Sequence, residues 1–279
     1  MAKQKSILPL SGKLGGLIYS DGKYGANVRN ASEPGLKKDE PALKKNYTRT
    51  KFLNNLAGGV NDVIDDYGGN LKQPNFYNLL NSRFRNESLN NRFVLLKLLE
   101  GMEVNTRYPL SKLSDAKVTV IPKKETMTVR LEVCDHPAAS VGRYKVNCYS
   151  YEVSMLCWVN DADRPLPFRK PSQWIFLTDD LLDFEFNFDR VDGTVEWLVC
   201  LKIKVGFDRK PISALIGEGM QMISAGTFNK KDIALLAKRK KEIENAERVA
   251  AVQIDDDANR VKAIGRRKRN DPSKSSPSD

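Results

Sequence analysis

The alternation of side chains over residues 126–134 constrains this chain more than any other feature. Met127, Val129, Leu131 and Val133 fall on one side, and Thr128, Arg130 and Glu132 on the other. A period of two is what a half-buried β-strand needs. Lys117–Ile121, Tyr144–Val159, Gln173–Leu177, Phe184–Phe188 and Val195–Val205 carry related signals. Most are rich in Val, Ile, Thr, Tyr, Phe or Trp, and turn residues separate them. Ile212–Ile216 and Met220–Ile223 are expected to close the set. That is more strands than one flat sheet comfortably holds, so two packed sheets are predicted. Trp158, Trp174 and Trp197 are expected in the core or between the sheets.

Upstream, residues 8–30 read as a β-hairpin. Leu17 and Tyr19 alternate on one strand, and Tyr24, Ala26 and Val28 on the other. Asp21-Gly22 between them predicts the turn, since both residue types accept positive φ. Gly12-Lys13 does not extend to a phosphate-binding loop, because Leu14 follows and Ile7 stands where the first glycine belongs. A linker is expected over 31–41. Helical periodicity then begins with Leu53, Leu56, Val60, Val63 and Ile64. Gly68-Gly69 predicts its end. A second helix is expected near Pro74, with Phe76, Leu79, Leu80 and Phe84 as its stripe. A third is expected from about Ser88 to Gly101. Arg83, Arg85 and Arg92 read as ordinary solvated arginines. Residues 230–252 read as a charged helix with Ile233, Leu236, Ile243 and Val249 as sparse apolar positions, too few for a long coiled coil.

The charge is unevenly placed. The chain carries 46 Lys+Arg against 35 Asp+Glu, a net +11. Residues 51–227 hold 22 of each sign, so the whole excess lies in 1–50 and 228–279. Charge gathered at the ends contacts a partner more often than it stabilises a core. The expected contacts are Lys3, Lys5, Lys13 and Lys23 on the ribbon, with Tyr19 and Tyr24 as stacking faces. In the tail they are Lys238, Arg239, Lys240 and Lys241, then Arg266, Arg267, Lys268 and Arg269. A Ser/Pro-rich stretch ends the chain and is expected to be disordered. No apolar run approaches ~20 residues, so no transmembrane helix is expected. The first ten residues lack a secretory h-region, which predicts synthesis and residence in the cytoplasm.

Little in the sequence suggests catalysis. His136 is the one histidine, so no site can use two, and its place before Pro137 reads as a surface loop. No GxSxG elbow accompanies it. The carboxylates Asp179, Asp180, Asp183, Glu185 and Asp189 would need a cleft to do acid–base work, and Glu185 reads as the outward face of a strand. Asp255-Asp256-Asp257 lacks the spacing of a calcium loop. Cys134, Cys148, Cys157 and Cys200 all fall on predicted strands with no CxxC pair. A Cys148–Cys200 or Cys134–Cys200 bridge would span a sandwich; four buried thiols in a reducing compartment is the expected state.

Two stretches resemble a known family. One is Ile7-Leu8-Pro9-Leu10-Ser11-Gly12-Lys13-Leu14-Gly15-Gly16, followed by the hairpin and Arg29-Asn30. The other is Leu98-Leu99-Glu100-Gly101-Met102-Glu103-Val104-Asn105, followed by Pro109-Leu110-Ser111. Together they resemble an uncharacterised family of Bacteroidetes genomes. The similarity covers roughly residues 5 to 225. The family opens with a glycine-rich strand pair, passes through helices to an LLxGFEFN…PL junction, and ends in an Ig-like β domain. Met102 and Val104 stand where that family usually has aromatics, and the tail after 228 is extra. The resemblance implies an architecture and no activity.

These readings predict an α+β chain: a basic β-ribbon and linker over 1–40, a small helical unit over 41–115, an Ig-like antiparallel β-sandwich over 116–227, and a basic, partly disordered helical tail over 228–279. The expected function is non-catalytic: a structural or assembly protein whose basic ends contact an anionic partner, in a virion-like or mobile-element particle. It would be a homo-oligomer or larger assembly, with no cofactor and no metal, in the cytoplasm or inside the particle. The alternative is a DNA- or RNA-binding accessory protein.

Overall fold

The structure is a computed structural model that describes residues 2–3, 12–14, 17–22, 25–30, 41–160 and 162–245. The chain divides into two compact units, Met1–Thr50 and Lys51–Asp279.

The first unit holds a four-stranded antiparallel sheet of β1 (Ala2–Lys3), β2 (Gly12–Leu14), β3 (Leu17–Gly22) and β4 (Gly25–Asn30), in the order β1-β4-β3-β2. The hairpin is where the alternation places it, but its register is not. Gly22 pairs with Gly25 and Tyr19 with Val28, so Asp21-Gly22 lies within β3. A slip by an even number of residues leaves every side chain on its own face. The period of two therefore could not choose between the two turns. Helix α1 (Pro41–Gly68) begins in this unit and continues into the second.

The second unit is built on one large sheet. Its two central strands, β9 (Cys148–Val159) and β13 (Thr194–Phe207), pair antiparallel along nearly their full length. Outside β9 lie β10 (Leu166–Pro171) and β11 (Ile175–Phe176). Outside β13 lie β14 (Lys210–Pro211) and β15 (Glu218–Thr227). A second sheet has the order β12-β6-β5, from β5 (Ala116–Pro122), β6 (Thr126–Val133) and β12 (Phe184–Asp189). The short pair β7 (Ser140–Val141) and β8 (Tyr144–Lys145) stands apart. Ile212–Ile216 is not a strand. Leu215–Gly217 forms a 3₁₀ turn instead; the hairpin at Lys210–Pro211 pairs with Gly206 and Phe207, and β15 takes the rest of that edge of β13 from Lys204 to Glu196.

Both faces of the large sheet are covered. Val153, Met155 and Cys157 of β9 and Val199, Leu201 and Ile203 of β13 join Met127, Val129 and Leu131 of the smaller sheet in one core. The intervening Leu156, Trp158, Leu198 and Cys200 point the other way. They meet Leu56, Val60 and Ile64 of α1, Phe76, Leu80 and Phe84 of α2 (Phe76–Arg85), and Leu95 and Leu96 of α3 (Arg92–Lys97). The result is a layer of helices, a large sheet and a small sheet, mixed α and antiparallel β. The third helix starts four residues later than its periodicity suggested, at the Asn91 cap, whose side chain accepts from the Val94 N–H. Gly101 ends the segment at φ +75°, a conformation that favours glycine.

Trp158 and Trp197 are buried as expected; Trp174 is half-buried just before β11. Lys202 is an apolar-face intruder, 4% exposed. Its ammonium is held by Glu218 at 2.8 Å and by the Tyr67 carbonyl at 3.1 Å. All four cysteines are free thiols, three of them buried. Burial pushes Cys157 and Cys200 up to about 12, and raises Cys148 as well. A thiol-labelling time course at neutral pH should reach the half-buried Cys134 first. The other three should label only at the rate of unfolding.

Candidate nucleic-acid interface

The tail begins with a helix, α4 (residues 230–245, the last described). Its attachment to the body follows a helical stripe. Asp232, Leu236 and Arg239 are the half-buried positions, spaced four and three apart as one face requires. Asp232 accepts from the Asn91 amide at 2.7 Å, and Arg239 meets Glu87 at 2.6 Å. Both partners lie in the connection between α2 and α3. Glu87 is 6% exposed and also accepts from the Leu89 N–H at 3.1 Å. Asn91 serves twice, capping α3 with its oxygen and holding Asp232 with its nitrogen.

The face opposite this stripe is cationic. With 3.6 residues per turn, Lys230, Lys231, Lys238 and Lys241 share an arc of about 100°, on the far side from Asp232, Leu236 and Arg239. All four are exposed. Lys238 lies 3.8 Å from Glu242, and Lys240 lies 3.9 Å from Glu244, one helical turn on in each case. At 77–80% exposure such lysines are held weakly. The run Lys238 to Lys241 therefore splits: Arg239 faces the body and the lysines face outward. Lys230 and Lys231 joined this face unannounced. The signal that could have found them is their spacing of seven or more from Lys238 and Lys241, which brings them back to the same azimuth.

The remaining expected contacts fall mostly elsewhere. Lys3 lies on β1 and Lys13 on β2. Lys5, Lys23, Arg266, Arg267, Lys268 and Arg269 lie outside the described residues, as do Tyr24 and Val249.

The anchor of α4 is sensitive to acid. Burial alone would raise the Glu87 carboxyl, but hydrogen bonds from Arg239 and from the Leu89 and Ser88 backbone outweigh it and hold the group below its ordinary value. A depressed carboxyl pKa contributes stability that is complete above the unfolded value and lost as pH falls through the folded one. The amide chemical shifts of residues 232–239 should hold from neutral pH into the ordinary glutamate range. They should move together only at pH below that range, as Glu87 protonates.

Arg83 and Arg85 are exposed as expected, and Arg83 donates to the Leu98 carbonyl at 2.8 Å. Two side chains depart from expectation. Arg92 is not a solvated arginine: it pairs with Glu196 at 3.2 Å with both side chains nearly buried, and donates to the Asn160 carbonyl. His136 is half-buried rather than a surface residue. Its ring bridges the Tyr149 hydroxyl at 3.0 Å and the Asp179 carbonyl at 3.1 Å. The carbonyl only accepts, so Nε2 carries a proton and Nδ1 faces the hydroxyl. The carboxylates of 179–189 are exposed. Glu185 faces outward in an ion pair with Arg130, and Asp179 accepts from the Phe176 N–H. Among the described residues no cluster of His, Cys, Asp and Glu has the geometry of a metal site, and no helix is long and apolar enough to cross a membrane.

No protein-family model, no curated protein and no solved structure matches this chain. The likeness to the Bacteroidetes family rests on the residues quoted for it alone.

Proposed function

We propose that this is a non-catalytic structural or assembly protein that holds nucleic acid on the lysine face of α4. One observation carries the reading: α4 is docked through Asp232, Leu236 and Arg239, which turns Lys230, Lys231, Lys238 and Lys241 away from the body. An anchored row of ammonium groups neutralises phosphates with little ordering cost, and the released counterions drive the binding. The contact reads charge and not base sequence. The lysines from Lys3 to Lys23 and the cluster Arg266 to Arg269 are further candidate contacts with an anionic partner. The two facing sheets are read as the Ig-like domain of the family resemblance, and the site of action as the cytoplasm or the interior of an assembled particle.

The test is fluorescence anisotropy of the full-length protein with labelled single- and double-stranded oligonucleotides across a salt series. Affinity should fall steeply between about 50 and 200 mM salt, with a log–log slope of about −3 or steeper for four phosphate contacts on a single strand. Binding indifferent to salt, or no binding, overturns the reading.

A further inference from the structure

A groove runs along the exposed face of α2. Tyr77, Asn81 and Arg85 form one row at four-residue spacing, and Asn78, Ser82 and Asn86 form the next. Asn54 of α1 closes the far side, and the volume is ≈ 430 Å³. Four of these seven side chains are carboxamides. Asn81 lies at the floor, 6% exposed, and its Oδ1 is buried with no hydrogen-bond partner. A buried acceptor left unpaired is costly, and native structures rarely tolerate one without a reason. Nothing in the hydrophobic core needs an asparagine there, since α2 already buries Phe76, Leu80 and Phe84 on its inner face.

We propose that this groove takes an unpaired base of single-stranded nucleic acid. A carboxamide sets one acceptor beside one donor, which is the pattern that meets the hydrogen-bonding edge of a base in two contacts. The Asn81 amide turns about its soft terminal torsion to bring Oδ1 to a base N–H. Tyr77, 37% exposed at the rim, offers a ring for stacking. Arg85 supplies a cation for the adjoining phosphate. An extended peptide would also meet the amides, but it has no need of the arginine at the end of the groove. The groove also adjoins the docked helix: Asn86 lines it, and the next residue, Glu87, holds Arg239. The inference rests on the nucleic-acid reading of α4 and adds base recognition to it.

The test uses the full-length protein with two sets of probes. One compares a single-stranded oligonucleotide with its abasic counterpart. The other compares the four nucleoside monophosphates with ribose 5-phosphate, followed by amide shifts of residues 77–86. Removing the bases should weaken binding by about tenfold or more. Asn81→Ala and Tyr77→Ala should each erase most of that difference, and Tyr77→Ala covers the case in which the Asn81 variant does not fold. Monophosphates should shift the groove, and ribose 5-phosphate should not. Equal binding of abasic and intact strands, with the salt dependence retained, overturns the groove and leaves the α4 reading standing. Monophosphate binding without salt-dependent strand binding does the reverse. Shifts caused only by an uncharged peptide, or none by any probe because water satisfies Asn81, overturn the groove.

Discussion

Replacing Lys230, Lys231, Lys238 and Lys241 together with glutamate should lower affinity for single-stranded nucleic acid at least about 100-fold near 0.1 M salt. The slope of affinity against salt should flatten by about three. The fold should survive, because all four side chains are exposed and the face that docks α4 is untouched. Lys238 loses only a 3.8 Å contact to Glu242, which at this exposure contributes little. Arg239→Ala is the informative companion. It removes a cation and takes the guanidinium from the buried Glu87 carboxylate, which keeps the Leu89 N–H, so it should loosen α4 from the body. Removing a charged partner of a buried charge costs up to about 3–5 kcal/mol. Here part of that is recovered when the loop at Glu87 opens. The two variants separate the presentation of the lysines from the lysines themselves.

Gly226→Ala should destabilise the second unit by about 3 kcal/mol. Gly226 on β15 pairs with Trp197 on β13, and the indole lies over the glycine. An added methyl would collide with the six-membered ring of that indole. Trp197 is 5% exposed and packed in the core between the sheets, so the ring cannot simply swing aside. The melting temperature should fall by about 10 °C for a unit of this size, and the tryptophan emission should shift toward that of a solvated indole. A variant that melts with the wild type would show that the ring has room. Gly206 stands in a similar relation to the Lys210 carbonyl, but there the cost is confined to a hairpin tip.

The strands were legible because of side-chain alternation, and their arrangement was not. Met127, Val129, Leu131 and Val133 are buried and Arg130 and Glu132 exposed, as their period demands; Thr128 is buried as well. β9 and β13 carried a second message. From Trp197 to Leu201 every residue is apolar, and a strand apolar on both faces must be covered on both. That pattern called for a third layer, and the helices between residues 51 and 97 supply it. Leu166–Pro171 was invisible as a strand because prolines bound it and it buries almost nothing. It is held at the sheet edge by its pairing with β9. The cationic cluster was legible as charge. Which of its members face outward depended on Glu87 and Asn91, some 150 residues away in sequence, and no local pattern could reveal that. The asparagine groove was equally hidden, since Asn78, Asn81 and Asn86 look like ordinary polar helix residues until Asn54 comes to face them.

Lysine acylation footprinting, read by mass spectrometry with and without a single-stranded oligonucleotide, tests the central claim most directly. Lys230, Lys231, Lys238 and Lys241 should be protected as a group when the strand binds, while exposed lysines of the small sheet such as Lys117 keep their reactivity. Unchanged reactivity at those four lysines in the bound state, or protection that falls on the small sheet instead, would contradict it.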